Sequence, residues 1–414
     1  MKNRFFLIAP ITVSLLNSLL YWPLVLRVIP TDVLGYQLFL MQISILVTPL
    51  LVVGLNVTLI RQNTSVIYLP SDTINRLVTS YAAIAIQFSI IALIVQNSLL
   101  EIAAFTSAQS TAILLFSLCR REELNSVFAS STFIIQFFAP FLALGLIVFT
   151  DFEYFVQLTS LCTSLASIII LRLYFSIGRV KLKEFKSLFR QSYRLTPFLF
   201  GSLIMLYGHK LLLGMFFSPQ YVTFFQMPAV VAGGLLTAYT MLSPIIFERV
   251  LRADEVHWYK ELELIQDRIS KYIPSVFLLA FPAALVTYIL TPTQFPRSEI
   301  VFATIIFAFA LPVAIATDIL IQAAIRLGKN EYLAVSVYGA ITAILLMVFF
   351  LRATPVIGVS IATTCGYLVR LILLQTMMRV SNPIKFFLSD EIRRVFYLTV
   401  ILMSVTLIYF YRIL

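Results

Sequence analysis

Charged residues fall along this chain in short clusters, and the stretches between the clusters are long, apolar and of similar length. Runs nearly free of charge lie near residues 5–29, 35–60, 77–96, 99–119, 126–149 and 153–175, then 195–217, 221–247, 272–290, 300–327, 332–351 and 355–378. A shorter thirteenth run covers 395–411. About 20 residues at a helical rise of 1.5 Å cross a hydrocarbon core of roughly 30 Å. Backbone groups in lipid must be satisfied within the segment, and these runs are too long and too uniformly apolar for barrel strands, so they predict helices. The first run is too long for a signal-peptide core and is followed by no small-residue cleavage site, so it is expected to stay as a helix.

The loops give a direction. With Met1 in the cytoplasm, the basic residues outside the runs crowd the cytoplasmic loops; the exceptions are Arg27, Arg297, Arg352 and Arg412. The cytoplasmic side also holds two longer connections. The first, 176–194, is basic and partly amphipathic, suited to an anionic leaflet, and separates six runs from the six or seven that follow. The second, 248–271, carries mixed charge and reads as a solvated helix. The expected organisation is a six-helix lobe at 1–175, a linker at 176–194, a second lobe at 195–378, and a loop with the terminal apolar segment at 379–414.

Composition agrees. The chain is 60% hydrophobic and 12% charged, with a mean hydropathy of +0.96, and the low charge excludes a soluble globular protein. Its formal charge of +11 is spread through loops rather than gathered on one face, so nucleic acid is not an expected partner. Cys119, Cys162 and Cys365 have no spacing that suggests a disulfide or a metal, and His209 and His257 stand far apart. No phosphate-binding glycine loop is present. The short outer loops oppose a polymerase or glycosyltransferase, and elimination favours a transporter, with no cofactor and with proton or sodium coupling left open.

Few charges lie inside the runs, and each implies a partner, a wet cavity or a function. Asp318 lies roughly 12 Å, and Arg370 roughly 13 Å, from the cytoplasmic ends of their segments, counting 1.5 Å per residue. At equal depth they suit either a structural salt bridge or separate roles, Asp318 in ion coupling and Arg370 in substrate contact. Lys210, beside His209, sits roughly 12 Å below the opposite surface. It either snorkels to the headgroups or lines a cavity as a compact cation. Arg27 and Arg61 close the two ends of this sequence. Arg61, Arg370, Lys210 and Arg27 occupy successive depths that would suit an anionic headgroup crossing the membrane. Prolines recur within the runs, at Pro23, Pro49, Pro140, Pro197, Pro228, Pro244, Pro282 and Pro312, each permitting a bend.

The opening stretch PLVLRVIPTDVLGYQLFL followed by LLVVGLNVTLIRQ resembles the start of polysaccharide flippases, of the Wzx O-antigen type, in the multidrug/oligosaccharidyl-lipid/polysaccharide exporter superfamily. The matching positions are Arg27, Asp32, Gly35, Tyr36, Gly54, Leu55 and Arg61. YGHKLLLGMFFSPQYVTFFQMPAVV is similar to that family's second-half opening, with His209 and Lys210 where an Asp-Arg pair commonly stands. The stretch from Ala323 to Leu368, with Gly328, Lys329 and Gly358, is also similar. The resemblance implies two six-helix lobes as parallel repeats in a V shape around a cationic cavity, with twelve core helices. It implies an inner-membrane protein with a cytoplasmic N-terminus that flips an undecaprenyl-diphosphate-linked oligosaccharide by alternating access, among partners that include membrane lipid, a polysaccharide polymerase and a chain-length regulator. The alternative within the superfamily is a cation-coupled drug antiporter, whose cavity should offer carboxylates. Of these, Asp318 is the deep candidate, with His209 as a second coupling group.

Overall fold

A proline inside a helix withdraws one N–H and crowds the carbonyl four residues before it, so the helix must widen or break there. The computed structural model describes residues 9–52, 71–121, 124–175, 196–246, 260–262, 264–265, 275–327, 329–350 and 354–381, with short pieces between 397 and 405. Arg61, Gly328, the linker at 176–194, most of the connection at 248–271 and most of the thirteenth run lie outside these residues. All regular structure among them is helical. In chain order the elements are α1 (Ala9–Leu16), α2 (Trp22–Val28), α3 (Thr31–Val52), α4 (Ser71–Val95), α5 (Ser98–Arg121), α6 (Asn125–Phe133), α7 (Ala139–Phe149) and α8 (Phe155–Tyr174). There follow α9 (Thr196–Phe216), α10 (Pro219–Phe224), α11 (Gln226–Ile246), α12 (Ala280–Leu290), α13 (Arg297–Ala308), α14 (Ala310–Arg326), α15 (Asn330–Phe350) and α16 (Pro355–Ser381). Among the described residues nine helical stretches are long and apolar enough to cross a membrane, and they carry many exposed large apolar side chains. The chain is an all-α multi-pass membrane protein.

The chain divides into two compact units, Met1–Leu203 and Ile204–Leu414. In the N-terminal unit the prolines widen the helices. A π turn at Asn17–Tyr21 joins α1 to α2 immediately ahead of Pro23, and the Trp22 N–H reaches back to the Asn17 carbonyl. A second π turn, Ile134–Phe138, joins α6 to α7 ahead of Pro140. The carbonyl that Pro140 cannot serve is that of Gln136, and Asn17 Nδ2 donates to it at 3.0 Å. The two π turns are therefore tied together, and a backbone acceptor that loses its α-helical donor to Pro140 gains a side-chain donor.

The buried helices of this unit, α5 and α8, pack on each other and on α4 through small and hydroxylated residues. Ser110, Thr111, Ser160, Ser164 and Ser167 donate to carbonyls four residues back on their own helices, so their polar atoms are satisfied locally while the backbones approach closely. One end of the unit is closed by an apolar cluster that includes Val52, Val78, Leu115, Leu118, Phe128 and Ile170.

In the C-terminal unit three prolines break the helices instead. Phe225 interrupts the chain ahead of Pro228, Leu279 ahead of Pro282, and Phe309 ahead of Pro312, in each case three residues before the proline. The run expected at 300–327 is consequently two helices, α13 and α14, and the run at 221–247 bends at Phe225 into α11. The run at 272–290 is interrupted at Leu279 in the same way, and the other described runs are continuous apart from the π turns, with Pro49 accommodated inside α3 and Pro244 inside α11. Close approach between α15 and α16 rests on two glycines. A Cβ on Gly366 would overlap the Ile344 side chain, and one on Gly339 would overlap Leu373.

Candidate functional site

The intramembrane charges of the C-terminal unit do not stand alone; tyrosines spaced three residues from each buried cation connect them. Residues three apart share a helix face. On α9 this pairs Tyr207 with Lys210, and on α16 it pairs Tyr367 with Arg370. Tyr367 interacts electrostatically with both Arg370 and Tyr207, which joins the two faces. Arg370 in turn interacts electrostatically with Asp318 of α14, the helix packed against α16. Asp318 accepts from the Tyr239 hydroxyl at 3.1 Å on Oδ2 and from Gln322 Nε2 at 3.2 Å on Oδ1. A polar seam thus runs from Lys210 through Tyr207, Tyr367, Arg370 and Asp318 to Tyr239, across four helices of one unit.

The charges on this seam do not cancel. Lys210 is 7% exposed and Arg370 is 6% exposed, so neither reaches bulk water. Asp318 is half-buried and faces Arg370. Among the described residues no carboxylate forms an ion pair with Lys210. An ammonium held away from water without a counter-charge costs several kcal/mol, and a negative group arriving at the site offsets that cost.

His209 turns away from Lys210 into an aromatic wall. Its ring centroid lies 4.8 Å from that of Phe225, the residue at the α10–α11 break, and 5.2 Å from that of Phe307 on α13. Gly233 permits this wall, because a Cβ there would stand 3.3 Å from the Phe307 ring. His209 is 3% exposed and neither ring nitrogen has a hydrogen-bond partner. No group of three or more His, Cys, Asp or Glu side chains suited to a metal occurs among the described residues.

Of the residues singled out in the sequence, Lys210, His209, Asp318 and Arg370 lie in this unit, and Arg370 and Asp318 are brought together. Arg27 belongs to the other unit, exposed at the last turn of α2, and Arg61 lies outside the described residues. The tyrosines are the part sequence reasoning missed. Their signal was present as YGHK and YLVR, two intramembrane Tyr-x-x-cation repeats.

No protein-family model matches the chain, and no curated protein is detectably similar in sequence. Solved structures do match in fold. A lipid II flippase MurJ in an inward closed conformation aligns with a TM-score of 0.57 at 12% identity, over 99% of this chain and 97% of that one. An inward-facing multidrug resistance MATE family transporter of the MOP superfamily aligns with a TM-score of 0.55 at 10% identity, over 90% of this chain and 98% of that one. A MATE transporter of Vibrio cholerae gives 0.50 at 13% identity, over 94% and 97%. The chain shares the fold of these transporters.

Proposed function

We propose that the chain is a flippase of the multidrug/oligosaccharidyl-lipid/polysaccharide exporter superfamily. It carries an undecaprenyl-diphosphate-linked oligosaccharide, a surface-polysaccharide repeat unit such as O-antigen, from the cytoplasmic to the periplasmic leaflet of a bacterial inner membrane, with its N-terminus in the cytoplasm. The observation that carries the reading is Lys210, a buried cation with no carboxylate counterpart among the described residues, linked by two tyrosines to a second buried cation. A diphosphate cannot enter hydrocarbon unaided, and fixed positive groups supply the charge that water supplies outside. Lys210 acts as a point charge toward phosphate, while the planar guanidinium of Arg370 offers paired donors. The polyprenyl tail needs no site of this kind and stays in lipid while alternating access exposes the headgroup to one side and then the other. Handing the repeat unit to a polymerase and chain-length regulator follows from the same reading.

Asp318 supports a second reading, a cation-coupled antiporter of drugs or small molecules, because a deep carboxylate ringed by Tyr239 and Gln322 is the kind of group such a cycle requires. One experiment separates the two. The purified chain is placed in liposomes with a fluorescent undecaprenyl-diphosphate oligosaccharide, and movement is followed by chemical quenching of the outer leaflet. The flippase reading expects protein-dependent movement that Lys210→Gln slows about tenfold or more, a loss of at least one charge-assisted hydrogen bond. Absence of lipid movement, together with uptake of an organic cation that Asp318→Asn abolishes, would establish the antiporter instead.

A further inference from the structure

Each unit begins one of its buried helices with a glutamate, and the two glutamates are served differently. In the C-terminal unit Glu299, in the first turn of α13, has one buried oxygen without a partner but accepts a hydrogen bond from the Val356 N–H at the start of α16. In the N-terminal unit Glu101 holds a comparable place in the first turn of α5, near the start of α8. There the backbone is already served by Gln37 of α3, which donates from Nε2 to the Glu153 carbonyl at 2.9 Å and accepts from the Val156 N–H at 3.3 Å. The helix's own first turn is capped by Asn97, whose Oδ1 accepts from the Leu99 N–H at 2.9 Å. Glu101 is left 6% exposed, with Oε2 sealed from solvent and without a hydrogen-bond partner.

The titratable groups around it are acids and phenols. Glu153, on the turn Phe152–Tyr154 before α8, interacts with Glu101 electrostatically, and Asp151 caps that turn by accepting from the Glu153 N–H. Asp32 and Tyr36 come from the first turns of α3, and Tyr154 from the turn before α8. Neither α4 near Val95 nor α6 contributes a titratable group; Arg76, Tyr81 and Arg172 belong to the opposite halves of α4 and α8. Arg27 is exposed at the end of α2, and among the described residues no Lys, Arg or His pairs with Glu101. A carboxylate so placed has an oxygen out of water, no donor, and a second acid beside it, and such a group sheds its charge by taking up a cation. Among the described residues no set of three ligating side chains suited to a metal lies here, and a proton is the cation that a single carboxylate can take up alone.

We propose that Glu101 is a proton-binding site of the N-terminal unit, and that its proton keeps this end of the unit closed. Three ties span the end above it: Tyr36 Oη with Ser98 Oγ at 2.8 Å, Gln96 Nε2 to Tyr154 Oη at 2.8 Å, and Gln37 to the Glu153–Val156 backbone. The Gln96 tie holds a non-glycine residue at φ 50°, so the closed end also stores backbone strain. When the O–H bond breaks, its electron pair stays on the carboxylate and the proton passes to water. The new charge, out of water on Glu101, has the exposed Glu153 beside it and no donor on Oε2, and the closed end loosens to let water reach it. This site lies in the other unit from the cationic seam and does not depend on what that seam carries.

The test uses the full chain in lipid nanodiscs. Difference infrared spectra of the wild type against Glu101→Gln, which copies the protonated shape and is expected to fold, read the carboxyl directly. The expected result is a protonated-carboxyl C=O band at neutral pH that the variant lacks, unaffected by sodium at fixed pH. Identical spectra, or a band that sodium removes, would overturn the proposal. Thermal unfolding gives an independent sign: a site that holds its proton when folded and releases it when unfolded makes stability fall as pH rises above the ordinary carboxyl range. Wild type should show that fall and Glu101→Gln should lose it, and equal slopes in the two proteins count against the site.

Discussion

Removing Asp318 alone should damage the protein more than removing Asp318 and Arg370 together. Asp318 faces Arg370, which is buried, and its two oxygens accept from Tyr239 and Gln322. Asp318→Leu takes away the negative group while Arg370 stays charged in the interior, a change worth about 3–5 kcal/mol when a buried pair is broken. The donors of Tyr239 and Gln322 lose their acceptor as well, at about 1–3 kcal/mol for each group left unsatisfied, not additively with the first term. Arg370→Met should cost a similar amount for the mirror-image reason. The double variant replaces both charges with apolar groups and should cost only about 1–3 kcal/mol, what remains being the Tyr239 and Gln322 donors left without an acceptor, since a buried pair itself often breaks even against a hydrophobic one. A double-mutant cycle on the purified protein, read as denaturant or thermal unfolding in one detergent, should therefore give a coupling energy of about 3 kcal/mol or more. Singles that add to the double within about 0.5 kcal/mol would refute the idea that these two residues form one electrostatic unit.

Two further outcomes follow from backbone accounting and from packing. Asn17→Ala should destabilise the protein by about 1–3 kcal/mol because the Gln136 carbonyl loses its donor, and Pro140→Ala on top should restore most of that by returning an N–H to position 140; unfolding midpoints of the three variants decide it, and no rescue in the double variant would remove the proline explanation. Gly366→Ala should cost about 1–3 kcal/mol through overlap with Ile344, and the added substitution Ile344→Ala should relieve the overlap at the expense of a cavity. Additive losses would argue against the contact.

The lengths and apolarity of the runs made the helical, membrane-spanning class legible, because in lipid the choice of secondary structure is forced by backbone hydrogen bonding. The breaks were half legible. Pro312 and Pro228 announced bends, but whether a proline breaks a helix, as ahead of Pro312, or widens it, as ahead of Pro140, depends on a partner such as Asn17 from a helix more than a hundred residues away. The nearness of Asp318 and Arg370 could be anticipated from equal depths along two helices, since one rise per residue converts position into height. Tyr207, Tyr239 and Tyr367 could not be placed that way. Depth says nothing about azimuth, and a tyrosine in an apolar run looks like any other large side chain until a neighbouring helix shows where its hydroxyl goes.

The π turns at Asn17–Tyr21 and Ile134–Phe138 also change how these helices count residues. A π turn accommodates one more residue than an α turn, so every side chain after it is rotated by about 100° relative to an uninterrupted helix. The face of α2 that carries Arg27 and the face of α7 that follows Pro140 are out of phase with the helices that precede them. Each turn is in effect a stored single-residue insertion, and deleting a residue inside it would return the downstream half to regular phase, whereas the same deletion in α5 or α16 would turn a buried face toward lipid. Within the helices of the N-terminal unit a one-residue deletion is thereby best tolerated where a proline has already made room for it.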